Sequence, residues 1–219
     1  MKVCTDSCLF GAWVADKIET KMIAPKNVLD IGAGTGLLSL MLAQKSFAEI
    51  DAIEIDEHSM IQAQQNFAES QWHDRLHIIR ADIRNWISPK KYDLVICNPP
   101  FYENDLRSSN QKKNIAKHHD ALTLDELAGI AKLHLQDNGK FAVLLPFHRI
   151  EAFIKVALKN DLHLNDALLV KQTPRHRVFR GILLFGVQKI VYPSNELIIK
   201  NEEGNYTPEF NFLLKDYYL

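Results

Sequence analysis

Asn98-Pro99-Pro100-Phe101 is the stretch of this sequence whose residue types most directly suggest chemistry. Two prolines hold two φ angles at about −65° and remove two N–H donors. Each also biases the residue before it toward extended geometry, so Asn98 and Pro99 are stiffened as well. The Asn98 side-chain oxygen and the Pro99 carbonyl are then two acceptors for one incoming NH₂ group. Phe101 adds a flat face on which a base can stack, an interaction of about 1–3 kcal/mol per base. Taken alone, the tetrapeptide is equally a rigid turn ending a strand, with Phe101 in the core.

A second candidate is Asp30-Ile31-Gly32-Ala33-Gly34-Thr35-Gly36. Glycines at alternate positions let the backbone turn sharply and approach a ligand with no Cβ in the way. The spacing is G-x-G-x-G, so it fits the dinucleotide fingerprint imperfectly. Asp30 repels a pyrophosphate but suits a cationic group such as an amino-acid ammonium. Glu54 follows at the distance where an acid can accept both ribose hydroxyls. Asp56 reads as the cap of the next helix. Asp82 lies where it could accept from an adenine amine, or cap a helix. Three acids at successive strand ends around a glycine turn would face a ligand offering ammonium, ribose and adenine amine. S-adenosylmethionine carries all three, and a sulfonium.

These residues need a frame that brings strand ends together. Strands are read at Asn27–Ile31, Glu49–Ile55, Arg75–Arg80, Tyr92–Cys97, Gly139–Pro146, Leu164–Lys171 and Arg177–Lys189. Helices are read at Gly36–Lys45, Glu57–Ser70, Thr123–Gln136 and His148–Lys159, with Asp137-Asn138-Gly139 as a helix stop. Strands alternating with helices imply βαβ units and a doubly wound α/β sheet, mostly parallel and covered on both faces. The last two strands lack a helical crossover and are joined by the turn-rich Gln172–His176, which predicts an antiparallel hairpin at one edge. The long irregular stretch Pro99–Ala121 reads as functional. Tyr206–Leu219 reads as an aromatic-rich helix.

The glycine turn, Glu54, Asp82 and the tetrapeptide together resemble the class I S-adenosylmethionine-dependent methyltransferases that modify a planar amine. Lys2-Val3-Cys4-Thr5-Asp6, Leu9-Phe10-Gly11-Ala12-Trp13, Asp30–Leu42 and the aromatic tail are similar to the bacterial tRNA adenine N6-methyltransferases. The resemblance implies a Rossmann-like, seven-stranded sheet with an antiparallel edge strand, in one domain over residues 1–219. It implies methyl transfer to the N6 amine of adenine 37 in a valine tRNA. Asp30, Gly32, Gly34 and Gly36 would hold the methionine part of the cofactor, Glu54 the ribose, and Asp82 with the Ile83 backbone the adenine. Asn98, Pro99, Pro100 and Phe101 would form the catalytic clamp, with Asn98 also beside the cofactor. Lys2, Thr5 and Asp6 match the segment that closes over it. An rRNA guanine N2- or protein glutamine methyltransferase uses the same tetrapeptide. A cofactor-binding RNA chaperone is the non-enzymatic alternative, which intact Asn98 and Phe101 disfavour.

RNA requires local positive charge, because 26 Lys plus Arg against 27 Asp plus Glu leave a net charge of −1. Lys171, Arg175, Arg177 and Arg180 form one basic cluster, and Lys112, Lys113 and Lys117 another; each alone reads more readily as a solvated charged face. With 47% hydrophobic and 24% charged residues the chain is neither disordered nor fibrous. Cys4, Cys8 and Cys97 complete no disulfide framework or zinc site, and no metal is expected. That cysteine usage points to a reducing, cytoplasmic compartment; no signal peptide is read, and a monomer is expected.

Overall fold

A computed structural model describes residues 4–100, 122–190 and 194–218. The strands are β1 (Asn27–Ile31), β2 (Glu49–Glu54), β3 (Leu76–Arg80), β4 (Tyr92–Cys97), β5 (Leu135–Pro146), β6 (His163–Lys171), β7 (Val178–Gly186) and β8 (Asn195–Ile198). They form one sheet in the order β3-β2-β1-β4-β5-β7-β6-β8. Alternate residues of one strand feed opposite cores, as the twofold period of a strand requires. Leu94 and Ile96 lie in one core; Val95 and Cys97 lie in the other. Both faces are therefore apolar, and helices cover each.

On the first face lie α1 (Thr5–Glu19), α2 (Leu37–Lys45), α3 (Glu57–Ala68) and α6 (Pro208–Leu214). On the second lie α4 (Leu124–His134) and α5 (Phe147–Lys159). The caps follow from sequence. Asp56 accepts from the Ser59 amide at the start of α3, as its position suggested. Thr123 and Glu126 make a reciprocal capping box on α4. Thr207 caps α6, with Pro208 in its first turn. In α5, Ile150, Phe153 and Ala157 recur at helical spacing and are the buried residues.

The structure departs from the sequence reading in three places. Helix α1 was not read as one, because residues from Ser7 to Ile18 are buried on nearly every side and leave no amphipathic period. Helix α4 stops at His134; Leu135 is extended and opens β5, so Asp137-Asn138-Gly139 lies in the irregular start of a strand rather than ending a helix. Among the described residues the sheet has eight strands, against the seven expected. The β6–β7 hairpin joins through β7, which runs antiparallel between β5 and β6, and β8 then pairs with β6 in parallel. The antiparallel strand is therefore internal. Its run from Gly181 to Gly186 is buried on both faces, which is incompatible with an exposed edge.

Candidate active site

The chain order reverses on either side of β1, with β2 and β3 to one side and β4 and β5 to the other. Ligands of open α/β sheets bind at such a switch point, outside the carboxyl ends of the strands. Register puts Ile31 level with Ile53 and Cys97, and Glu54 level with Arg80. Gly32, Glu54, Ala81 and Asn98 thus leave the sheet at one end, side by side.

The glycine turn is held to β2 by the Gly32 and Ala33 amides, which donate to the Ile53 carbonyl at 2.9 and 3.1 Å. Gly32, Gly34 and Gly36 have φ of 69°, 58° and 83°, the left-handed region that side chains resist. A Cβ on Gly32 would meet nothing within 4 Å, so this backbone borders open space where a ligand can approach. Gly36 is different: a Cβ there would lie 2.4 Å from Phe67 Cε1, so it is glycine for packing as well as conformation.

Asp30 lies beneath this turn, 1% exposed, and accepts from Ser39 Oγ at 2.7 Å. Burial pushes its carboxyl up to about 7, against the opposing Ser39 hydrogen bonds, and the nearby Glu54 charge adds to the rise. Glu54 is also buried; Oε2 accepts from the Gly34 amide and Oε1 from the Asp56 amide, each at 2.8 Å. Its carboxylate therefore fastens the turn. Asp82 accepts from Arg84 Nε and Nη2 and from the Arg84 amide. The Arg84 hydrogen bond holds its carboxyl below the ordinary range despite partial burial. Ile83 beside it is buried.

Asn98 follows β4 directly and is half-buried, as is Pro99; Pro100 is exposed. Asn98 Nδ2 donates to Ser7 Oγ at 2.8 Å. Ser7 lies in the first turn of α1, a residue that sequence analysis did not single out although both neighbours were named. Asp6 accepts from Arg180 Nε at 3.0 Å. Burial raises the Asp6 carboxyl, but hydrogen bonds from Cys4 and Arg180, with the guanidinium charge, bring it below the ordinary value. Thr5 is half-buried and is the first residue of α1. Cys97 is buried and its thiol pushed well up by burial, as befits a core residue rather than a nucleophile. Lys2, Phe101, Lys112, Lys113 and Lys117 lie outside the described residues.

A family model described as methyltransferase small domain matches residues 11–160. The chain belongs to that family. The tRNA1(Val) (adenine(37)-N6)-methyltransferase of Flavobacterium psychrophilum is 38% identical over 222 residues, spanning 100% of this chain and 93% of the relative. The protein of the same name from Aliivibrio salmonicida is 37% identical over 220 residues, spanning 100% and 91%. Among solved structures, a predicted O-methyltransferase from Agrobacterium tumefaciens superposes with a TM-score of 0.71 at 15% identity, covering 95% of each chain. The glycopeptide N-methyltransferase MtfA, solved with S-adenosylmethionine, gives 0.59 at 12% identity, covering 82% of this chain and 88% of its own. These two likenesses establish the fold.

In the methyltransferase, the basic cluster of Lys171, Arg175, Arg177 and Arg180 sits on the β6–β7 hairpin. Since β6 runs parallel to β5, its turn lies at the same end of the sheet as Asn98. Lys171 pairs with Glu196 at 2.7 Å, Arg175 with Glu202 at 3.3 Å, and Arg180 with Asp6; Arg177 is exposed. The two solvent-facing pairs are weak enough to exchange for phosphate. Arg180 serves α1 instead. Sequence analysis missed Phe147, exposed immediately after β5, and Arg149 beside it. They follow Pro146, which register pairs with Arg180 at the site end. Among the described residues no group of three His, Cys, Asp or Glu is arranged to hold a metal, and no helix is long and apolar enough to cross a membrane.

Proposed function

We propose that this methyltransferase transfers the methyl group of S-adenosylmethionine to the exocyclic N6 amine of an adenine in tRNA, adenine 37 of a valine tRNA. One observation carries the reading: Asn98 emerges from β4 at the switch point beside the glycine turn, with its NH₂ group already committed to Ser7. Its oxygen is the atom left for a substrate amine. The activity named for relatives that match the whole chain supports the same acceptor.

The cofactor fits the residues present. The open space beside Gly32 admits a ligand against the backbone, and the buried acids Asp30 and Glu54 favour a cationic, hydroxyl-bearing one. Asp30 and the glycines would hold the methionine part, Glu54 the ribose, Asp82 and Ile83 the adenine, with Lys2, Thr5 and Asp6 closing over them. When bound, S-adenosylmethionine supplies an electrophilic methyl group on a sulfonium sulfur.

The protein's own task is alignment. An adenine amine is a poor nucleophile because its lone pair delocalises into the ring. Asn98 Oδ1 and the Pro99 carbonyl accept its two N–H groups out of the ring plane, which favours a pyramidal nitrogen with its lone pair aimed at the methyl. The same two dipoles stabilise the positive charge that develops on that nitrogen. Holding the reactants in line is worth up to about 7–11 kcal/mol of barrier. No separate base is needed, because the proton leaves after transfer. Phe101 is the residue proposed to stack on the extruded base, which a single-stranded anticodon loop releases at the lowest cost. Arg177 and the hairpin cations, with Lys112, Lys113 and Lys117, would meet phosphates. Such a reaction belongs in the cytoplasm.

The test is transfer of radiolabelled methyl from S-adenosylmethionine to total tRNA, rRNA and protein offered separately. Label in tRNA, recovered as N6-methyladenosine, is expected; label confined to rRNA or protein overturns the assignment.

A further inference from the structure

We infer that Ser7 is a positioning residue that holds the Asn98 amide with its oxygen free for the substrate, through the hydrogen bond from Asn98 Nδ2 to the Ser7 hydroxyl in the first turn of α1. The inference rests on the proposed role of Asn98 as acceptor for the substrate amine.

An asparagine side chain has a donor end and an acceptor end of nearly the same shape, so its two orientations are distinguished only by their partners. In one, the oxygen faces the substrate; in the other the NH₂ does, and it repels an incoming amine. Four contacts hold the first. Asn98 Nδ2 lies 2.8 Å from Ser7 Oγ. Ser7 Oγ lies 2.9 Å from Cys4 Sγ. Asp6 takes Arg180 Nε at 3.0 Å and the Ser7 amide at 3.2 Å.

With Asn98 Nδ2 donating to Ser7 Oγ, the serine hydroxyl can give its own hydrogen to Cys4 Sγ, and the Asn98 oxygen is left for the substrate amine. Asp6, paired with the Arg180 guanidinium, accepts the Ser7 amide and so holds the serine in place from its backbone. Helix α1 presents these groups as one rigid turn: Cys4 precedes its first residue and Ser7 lies in that turn. The helix is clamped at its other end by the Lys17–Asp166 ion pair at 2.6 Å.

Single-turnover methylation of tRNA by the full-length Ser7→Ala, Ser7→Thr and Asn98→Ala proteins tests this, with cofactor affinity measured by calorimetry on the same preparations. Ser7→Ala is expected to slow the methylation step about tenfold, the factor that ~1.4 kcal/mol sets, with cofactor affinity within about twofold of wild type by the same scale. Ser7→Thr, which keeps the hydroxyl, should restore most of the rate. A wild-type rate in Ser7→Ala while Asn98→Ala is inactive overturns this inference alone, as does a Ser7→Ala defect that threonine leaves unchanged. A wild-type rate in Asn98→Ala overturns the functional reading itself.

Discussion

Asp30 is a carboxylic acid that loses its proton near neutrality, because a buried charge beneath the glycine turn is opposed by desolvation more than it is helped by Ser39. An ammonium bound above it favours the ionised form. Cofactor affinity should therefore be full above pH about 7 and weaken as pH falls through that value, by about tenfold per unit. Calorimetry in buffers of different ionisation enthalpy should detect proton release on binding near pH 6. Asp30→Asn should bind more weakly and lose this pH dependence. The sign for the unliganded protein is opposite. An acid raised from 3.8 to about 7 on folding makes stability fall as pH rises between those values. Denaturant midpoints of wild type and Asp30→Asn across that range check it. The type and spacing of Asp30, Glu54 and Asp56 were legible in the sequence, because strand ends and helix starts leave local signatures. Their partners were not. Ser39 and Ser7 are reached across the fold, and nothing local marks a serine that holds a distant side chain.

At the scale of elements, the βα turn and helix α1 carry the site. Gly36 opens α2 at φ 83° with Phe67 against its α-carbon. Gly36→Ala should cost about 1–2 kcal/mol for the left-handed backbone and about 1–3 more for overpacking, read by urea denaturation. Full stability in this variant would show that the turn adapts. Lys17 and Asp166 are both buried, so removing one partner strands a charge. Lys17→Met should destabilise by about 3–5 kcal/mol, measured the same way, and should loosen the helix that supports Asn98. The sequence displayed the parallel strands as continuous apolar runs, which is what burial on both faces produces. It concealed α1, whose burial on nearly all sides removes the very period by which helices are recognised. It concealed β8, where Leu197 is the one buried residue of four.

The whole molecule has a net charge of −1, so its affinity for a polyanion must come from where its cations lie. The sheet topology gathers Arg149, Arg177 and the hairpin turn at the end where Asn98 emerges. Arg149→Ala and Arg177→Ala should each reduce the slope of log affinity for tRNA against log salt by about one, with cofactor binding unchanged. An unaltered slope in both variants would place the RNA elsewhere. The most direct test of the whole account is Asn98→Ala, assayed for N6-methyladenosine in tRNA by nucleoside mass spectrometry beside calorimetric cofactor binding. Loss of a preorganised dipole at a developing charge should slow methylation about 100- to 1,000-fold while the cofactor binds as before. Methylation at the wild-type rate, or loss of cofactor binding in step with turnover, would contradict it.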